Sequence, residues 1–258
     1  MADTRGDETS TGADGIGGLV SAMTDRAATY QFLSNVLSEN EVTTDFLDSL
    51  RANPPFTGTE LDEFATSLAN ADPTQLELAR RALAADHSAT LLGMSQTPVS
   101  PYESVYTSPL HLMMQEARDE VLHAYRENGF EKNAAYHVPE DHVAIELDFM
   151  CALADRAADC LLTASDLQEN PDAAASAART GSSDASAAAS LAEAERALNA
   201  QLAFMNDHLL RWVPQLADDI EAKATTSFYR GVAQMLRGFI ADDADFLRGL
   251  AADDGEGA

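Results

Sequence analysis

Lysine is nearly absent from this sequence of 258 residues. Lys132 and Lys223 are its only lysines, and 16 lysine and arginine residues stand against 43 aspartate and glutamate residues, which gives a formal net charge of −27. Binding to nucleic acid needs clustered basic side chains that neutralise phosphates, so this charge balance argues against a nucleic-acid partner. An acidic, lysine-poor surface with an ordinary apolar fraction of 45% is typical of proteins from salt-accumulating halophiles. The composition therefore predicts a halophilic source.

Long apolar runs and a basic N-terminus are also missing. No run reaches the roughly 18 apolar residues of a membrane span. The Asp-rich first residues lack the basic and apolar regions of a secretory signal peptide. We therefore expect a cytoplasmic protein without membrane insertion.

Cysteine is scarce, and the common catalytic motifs are absent. Cys151 and Cys160 are nine residues apart on one predicted helix, a rise of roughly 13 Å, which is too far for a disulfide bond between them. No C-x-x-C pair indicates zinc binding or redox chemistry. The sequence also lacks a phosphate-binding glycine loop, a dinucleotide-binding G-x-G-x-x-G and a G-x-S-x-G nucleophile elbow. We expect no cofactor.

Helical periodicity is the dominant pattern that is present. From Leu19 onwards apolar residues recur every three or four positions, and no window alternates in the manner of a β-strand. The sequence predicts an all-α protein with a single domain of about eight to ten helices over residues 18–250. Polar residues 1–17 and 251–258 are predicted to be disordered tails, and the Ala/Ser-rich residues 168–190 a mobile insertion. The alternative is two small helical domains joined at that insertion.

Three local patterns give expectations that a structure can test. Asp72-Pro73-Thr74-Gln75 predicts an N-cap, a proline in the first turn and a capping box. A helix is predicted from Pro109 to Gly129, with Met113 and Met114 facing the core. A long helix is predicted to open near Pro139, and Trp212 is interpreted as an anchor at a helix end.

The densest cluster of ionisable groups follows Pro139. His142 and Glu146 are four residues apart and share a helix face, as a metal pair or a hydrogen-bonded acid and base would. One alternative function is therefore a metal-dependent enzyme built on His142, Glu146 and His208, with Asp207. The spacing does not supply the Glu-x-x-His elements of a di-iron bundle. In the structural alternative, Glu140 and Asp141 occupy the first helical turn and His142 is exposed or caps the helix.

A second candidate segment lies between two prolines. Tyr102, Glu103, Ser104 and Tyr106 form the loop PYESVY, which could line a peptide groove where tyrosine supplies contact area and glutamate pairs with arginine. The alternative is a packed loop whose phenol groups are hydrogen-bonded.

Taken together, four segments resemble the TorD/DmsD/NarJ family of redox-enzyme maturation chaperones. In chain order they are YQFLS at 30–34, PYESVY at 101–106, PEDH at 139–142 running into ELDFM, and FMNDHLLRW at 204–212. Pro139, Asp141 and His142 match the family's Glu-Pro-x-Asp-His pattern, whereas Val138 stands in place of its first glutamate. The resemblance covers most of residues 20–245.

The resemblance implies a helical chaperone that is not an enzyme. Its expected partners are the twin-arginine leader and the apo-form of the catalytic subunit of a molybdopterin oxidoreductase. It also implies a leader site lined or shaped by seven residues: Tyr102, Glu103, Ser104, Tyr106, Pro139, Asp141 and His142. Such a leader has a basic region and an apolar region, which fits an apolar groove with acidic residues at one end. A monomer or a domain-swapped dimer is expected.

Overall fold

Helices make up nearly all of the regular structure in a computed structural model that describes residues 8–40, 42–53, 57–134, 136–169 and 186–253. The helices are α1 (Glu8–Leu37), α2 (Thr44–Ala52), α3 (Glu60–Ser67), α4 (Pro73–Thr90), α5 (Glu103–Thr107), α6 (Glu116–Glu127), α7 (Val143–Glu169), α8 (Ala187–Phe204), α9 (Leu210–Lys223) and α10 (Ser227–Asp253). A π-helical turn, Met205–Leu209, joins α8 to α9. Within these ranges no β-strand forms, so the all-α prediction is confirmed.

The helices share one main core, which confirms the single-domain prediction over the two-domain alternative. α1 packs along α7, α7 along α8, and α10 against α3 and α9. One cluster of buried apolar side chains runs from Ala27 in α1 to Leu247 in α10. In the part of the chain that the structure describes, no helix is long and apolar enough to cross a membrane.

A buried ion pair links α1 to α10. The Arg26 guanidinium in α1 donates to both carboxylate oxygens of Asp243 in α10, and it also donates to Gln201 Oε1 in α8 at 2.6 Å. The Tyr30 hydroxyl donates to Asp243 Oδ2 at 2.5 Å. A buried charge pair is tolerated when its hydrogen bonds are satisfied in this way, and the pair fixes the register of three helices.

α10 crosses α3 at close range at Gly231. A Cβ atom added there would lie 2.1 Å from the backbone nitrogen of Leu61, so only glycine allows α10 to cross α3 at this distance. Asp72 caps α4 by accepting from Thr74 N and Gln75 N, and the Gln75 side chain completes the capping box. This confirms the prediction for residues 72–75.

Several predicted boundaries were wrong. α1 begins at Glu8, whereas residues 1–17 were expected to be a disordered tail, and Ile16 already packs against a second small apolar cluster. α7 continues to Glu169 and α8 begins at Ala187, so both ends of the predicted insertion 168–190 are helical. α10 continues to Asp253, two residues into the predicted tail 251–258. Residues 1–7, 170–185 and 254–258 lie outside the described residues.

The predicted helix from Pro109 was also wrong over its first half. Residues 108–115 form a loop with left-handed backbone at His111 (φ 51°) and Met114 (φ 59°), and α6 begins only at Glu116. Met113 and Met114 are 42% and 60% exposed and do not face the core. The helical spacing gave a wrong prediction because the loop is held by hydrogen bonds to α5, including the bond that Gln115 N donates to Ser104 Oγ at 3.1 Å.

Trp212 was expected at a helix end, and it lies in the first turn of α9, where it is fully buried. Pro214 lies further inside α9, where its missing N–H leaves the Leu210 carbonyl without the usual helical donor. The π-helical turn directly precedes this point in the chain, so the irregular backbone is concentrated where α8 passes into α9.

Candidate functional site

The two segments that the sequence singled out lie side by side. Tyr102 and His142 form an isolated antiparallel β-bridge. Glu103 N donates to Asp141 O at 2.9 Å, and Val143 N donates to Pro101 O at the same distance. The start of α5 is therefore fixed against the start of α7, although the two segments are separated by all of α6.

Each helix start is capped by a residue of the second segment. The Asp141 carboxylate accepts from Ser104 N at 3.0 Å and so caps α5, not the long helix that follows it. The His142 ring caps α7, because its Nδ1 accepts from Ala144 N at 3.1 Å. Burial, with a smaller contribution from His87, lowers the pKa of His142 to about 3, so its ring is neutral at physiological pH. Of the alternatives for His142, capping is the one observed.

Buried polar groups continue from Glu103 towards α9. The His208 ring nitrogen Nδ1 lies 2.9 Å from Glu103 Oε2, so the π-helical turn is tied to α5. The indole N–H of Trp212 donates to Glu146 Oε2 at 3.0 Å. Burial, and then the nearby charge of Glu103, raise the pKa of Glu146 well above its usual range. This shift favours the protonated form of the Glu146 carboxyl, which lies near the buried Glu103 side chain.

Glu140 holds the same segment from its outer side. Its carboxylate accepts from Arg118 Nε at 2.6 Å and from Lys132 Nζ at 3.1 Å, and the Lys132 ammonium also donates to Val138 O at 2.6 Å. One of the two lysines in the chain is thus used to position the loop before α7. Val138, which stands where the family pattern has glutamate, is buried.

The seven predicted site residues divide into two groups. Tyr102, Tyr106 and Pro139 are partly exposed. Glu103, Ser104, Asp141 and His142 are buried, and they contact other parts of the chain. Tyr106 packs its ring on Trp212 at 5.5 Å and donates its hydroxyl to Asp219 Oδ2 at 3.0 Å. The second group therefore shapes the surface that the first group presents.

A cleft of about 490 Å³ opens beside the bridge. Tyr102 and His142 meet there edge to face, with ring centroids 5.1 Å apart. A second cavity of about 420 Å³, lined by Tyr106, His111 and Asp219, shares the segment Pro98–Ser100 with the first. The two cavities adjoin across that segment and bring both predicted tyrosines to one surface.

The structure does not assemble the metal site that was considered as an alternative. Asp207 is exposed, His142 Nδ1 is used in the helix cap, and Glu146 Oε2 accepts from Trp212. Among the described residues, no group of three or more His, Cys, Asp or Glu side chains is placed to hold a metal ion. Cys151 and Cys160 are both free thiols, as their spacing predicted.

Several residues that line the cleft were not predicted from the sequence. Glu39 lines the cleft from the end of the α1 segment, and Leu92 and Met94 line it from the turn after α4. No motif marks them, because their segments are distant in sequence from the bridge. Trp212 was the available signal for the buried cluster, since a single tryptophan with a polar N–H usually finds a partner when it is buried.

The described residues thus form an all-α protein with a surface cleft over a buried polar cluster. The model of the family described as nitrate reductase delta subunit matches residues 56–218, so this chain belongs to that family. The resemblance to the TorD/DmsD/NarJ chaperones is thereby confirmed. The family is one of non-catalytic maturation chaperones, so the chain is not an enzyme and the metal-enzyme alternative is wrong.

Curated relatives carry the name Chaperone protein TorD. The protein from Photobacterium profundum is 28% identical over 234 residues, which cover 86% of this chain and 93% of the relative. The protein from Aliivibrio fischeri is 26% identical over 235 residues, with 86% and 94% covered. The protein from Vibrio cholerae is 29% identical over 185 residues, with 71% and 68% covered. Molybdoenzyme maturation fits this family.

Proposed function

We propose that this chain is a cytoplasmic chaperone that binds the twin-arginine leader and the apo-form of a molybdopterin oxidoreductase. The oxidoreductase is of the dimethyl sulfoxide, trimethylamine oxide or nitrate reductase type. Binding keeps the leader from the export machinery while the cofactor is inserted. The proposal rests on family membership together with one observation: the Tyr102–His142 bridge brings both family-like segments to one cleft.

The partly exposed residues make the contacts in this proposal. Tyr102, Tyr106 and Pro139 touch the leader, since each offers apolar surface and the two phenols add polar groups. Glu103, Ser104, Asp141 and His142 hold these contacts in place through the helix caps and the His208 bond. A pre-formed cleft lowers the ordering cost of binding a flexible leader.

The test is a calorimetric titration of the full chain, in molar salt, with the synthetic twin-arginine leader of a molybdopterin oxidoreductase from the same organism. We expect saturable binding that falls at least tenfold in Tyr102→Ala. Tyr136→Ala serves as the matched control, because Tyr136 is partly buried but does not line the cleft. Absence of leader binding by the unaltered chain would refute the proposal.

Maturation and oligomeric state need separate measurements. In cells that lack this chain, we expect the reductase to accumulate without its molybdenum cofactor, and we expect re-expression of the chain to restore the cofactor. Normal cofactor content in those cells would contradict the proposed role. Sedimentation measures whether the chaperone is a monomer or a domain-swapped dimer, the two states that a helical domain with long connections favours.

A further inference from the structure

Large apolar side chains are exposed beside the cleft, where a protein without a partner would avoid them. Loop 108–115 presents four of them: Leu110 (67%), Leu112 (56%), Met113 (42%) and Met114 (60%). The turn after α4 presents Leu92 (37%) and Met94 (77%). Leu92, Met94 and Met113 also line the cleft itself, and we call these three residues the rim. Contiguous exposed apolar surface of this kind marks an interaction site.

The backbone under these side chains is held in place rather than loose. His111 and Met114 have left-handed φ values, which are uncommon for residues with side chains. The loop is nevertheless fixed, because the His111 ring lies 2.9 Å from Val105 O and Gln115 Nε2 donates to Met113 O at 3.0 Å. In the other segment, Met94 N donates to Ser88 O at 3.1 Å. Strained backbone that is stabilised by its own hydrogen bonds is concentrated at ligand-binding segments.

Charge narrows the choice of partner. Among the described residues that line the cleft, Glu39 is the only acidic one, no lysine or arginine is present, and the His142 ring is neutral at physiological pH. Within the described residues Glu39 takes part in no ion pair. Its carboxylate lies close enough to Tyr102 to raise the pKa of that phenol, after the larger effect of burial. The cleft therefore repels an acidic segment and favours an arginine next to an apolar one.

Methionine side chains at the rim favour a site that accepts apolar segments of different sequence. Methionine is unbranched and polarisable, so it adapts to apolar partners of different shape. The cleft has a volume of about 490 Å³. It is too small for a whole apolar segment of about ten residues, which as a helix is about 15 Å long and about 10 Å across. We place the remainder of such a segment on Leu110, Leu112 and Met114, which are exposed in the same loop as Met113.

We propose that the rim and loop 108–115 bind the apolar segment of a basic–apolar peptide with little regard to its order of residues, while Glu39 binds the arginine that precedes it. The inference rests on the proposed function, because the leader is the peptide of this chemistry. It adds an orientation for the leader and assigns its two parts to different residues.

The probe is a fluorescent synthetic peptide with two arginines followed by a leucine and alanine segment of about ten residues. Anisotropy is measured with the full chain at low and at molar salt. We expect Met94→Asp and Met113→Asp each to weaken binding about tenfold or more. Met94→Leu and Met113→Leu should stay within about threefold, and a peptide with its apolar residues reordered should bind equally well.

Leu78→Asp is the matched control, because Leu78 is 61% exposed but lies on α4, roughly 20 Å along the helix from Leu91 at the cleft. It should bind the probe as the unaltered chain does. A second pair of variants tests the charge. Glu39→Gln should weaken binding of the arginine peptide several-fold, and it should not change binding of a peptide with glutamines in place of both arginines. Asp25→Asn, which removes the same charge from an exposed site on α1 outside the cleft, should change neither.

Three outcomes would overturn the inference. One is unchanged probe binding in both aspartate variants. Another is equal loss with Leu78→Asp. The third is a change in sedimentation of the aspartate variants without a change in peptide affinity, which would assign the rim to contact between two copies of the chain. If the unaltered chain binds neither the probe nor the leader, the proposed function fails as well, so the two failures are distinguishable.

Discussion

The Asp141 carboxylate accepts a hydrogen bond from the Ser104 amide at 3.0 Å, across 37 residues of chain. This is a helix cap supplied from a distant part of the chain, because the acidic side chain of the PEDH segment caps the N-terminus of α5, which begins within the PYESVY segment. The same two segments carry the Tyr102–His142 bridge, so the cap also holds the wall of the cleft. In the proposed function, Asp141 therefore acts on the leader site through this cap rather than by contact with the leader.

Replacing this cap should affect stability and binding together. Asp141→Ala removes the acceptor from the buried Ser104 amide, and we expect the free energy of unfolding to fall by about 2 kcal/mol in urea titrations. Asp141→Asn keeps an oxygen acceptor and should lose less than half of that. Asp72→Ala is the control, because it removes the exposed cap of α4. It should lower the free energy of unfolding by about 1 kcal/mol without altering leader affinity. Leader affinity that is unchanged in Asp141→Ala would contradict the link between cap and cleft.

Glu146 should make stability depend on pH in an unusual direction. Its pKa is raised in the folded protein, so the folded state keeps a proton that the unfolded chain releases above the ordinary value of 4.5. Since the unfolded state then binds fewer protons, stability falls as pH rises above that value. Glu146→Gln removes this dependence and keeps an acceptor for Trp212. Relative to the unaltered chain, the variant should gain up to about 1.4 kcal/mol per pH unit until the folded pKa is reached.

Urea unfolding of the two proteins at a series of pH values between 5 and 8 measures this difference. A stability difference that stays constant over the whole range would show that Glu146 is ionised in the folded protein. Glu103 and Asp141 are the carboxylates that face Glu146 from α5 and from the loop before α7, and Trp212 faces it from α9. Their charges oppose a second ionisation in the same buried space.

Features of the fold could be predicted from the sequence where the interactions that cause them join residues close together in the chain. The helical class and the capping box at residues 72–75 were predictable, because hydrophobic periodicity and cap chemistry act within a few residues. The burial of Met113 and Met114 was predicted wrongly, since their helical spacing was real but the left-handed backbone at His111 and Met114 interrupts it. A local sequence pattern cannot predict a loop whose conformation is fixed by hydrogen bonds to a different helix.

The sequence identified the two segments that the bridge joins, but not the contacts that their residues make. Both segments around Tyr102 and His142 were identified from resemblance, and the structure brings them together. That Glu103 lies buried against His208 follows only from how α5 packs on the π-helical turn, a contact across 105 residues. Glu39 and Met94 carry no motif at all, so their place at the cleft had to come from the fold.

The crossing of α3 and α10 gives a prediction with an internal control. Gly231→Ala places a methyl group 2.1 Å from Leu61 N, which is backbone and cannot swing aside. We expect a loss of about 1–3 kcal/mol in the free energy of unfolding, because the helices must separate. Gly238 lies in the same helix, and an added Cβ atom there would meet nothing within 4 Å. Because alanine has a higher helix propensity than glycine, Gly238→Ala should raise the free energy of unfolding by about 0.5–1 kcal/mol. A neutral result for Gly231→Ala would show that the crossing can relax.

Oxidation of the exposed methionines should switch off leader binding without unfolding the protein. Hydrogen peroxide transfers one oxygen atom to a thioether sulfur and leaves as water, which makes an apolar side chain polar. Met94, Met113 and Met114 are exposed, whereas Met23, Met150 and Met205 are fully buried. Mild peroxide should therefore oxidise the exposed three first, as mass spectrometry of peptides would show, and leader affinity should fall with them. A chain in which all three exposed methionines are replaced by leucine should keep its affinity after the same treatment, and equal loss in that chain would place the sensitivity elsewhere.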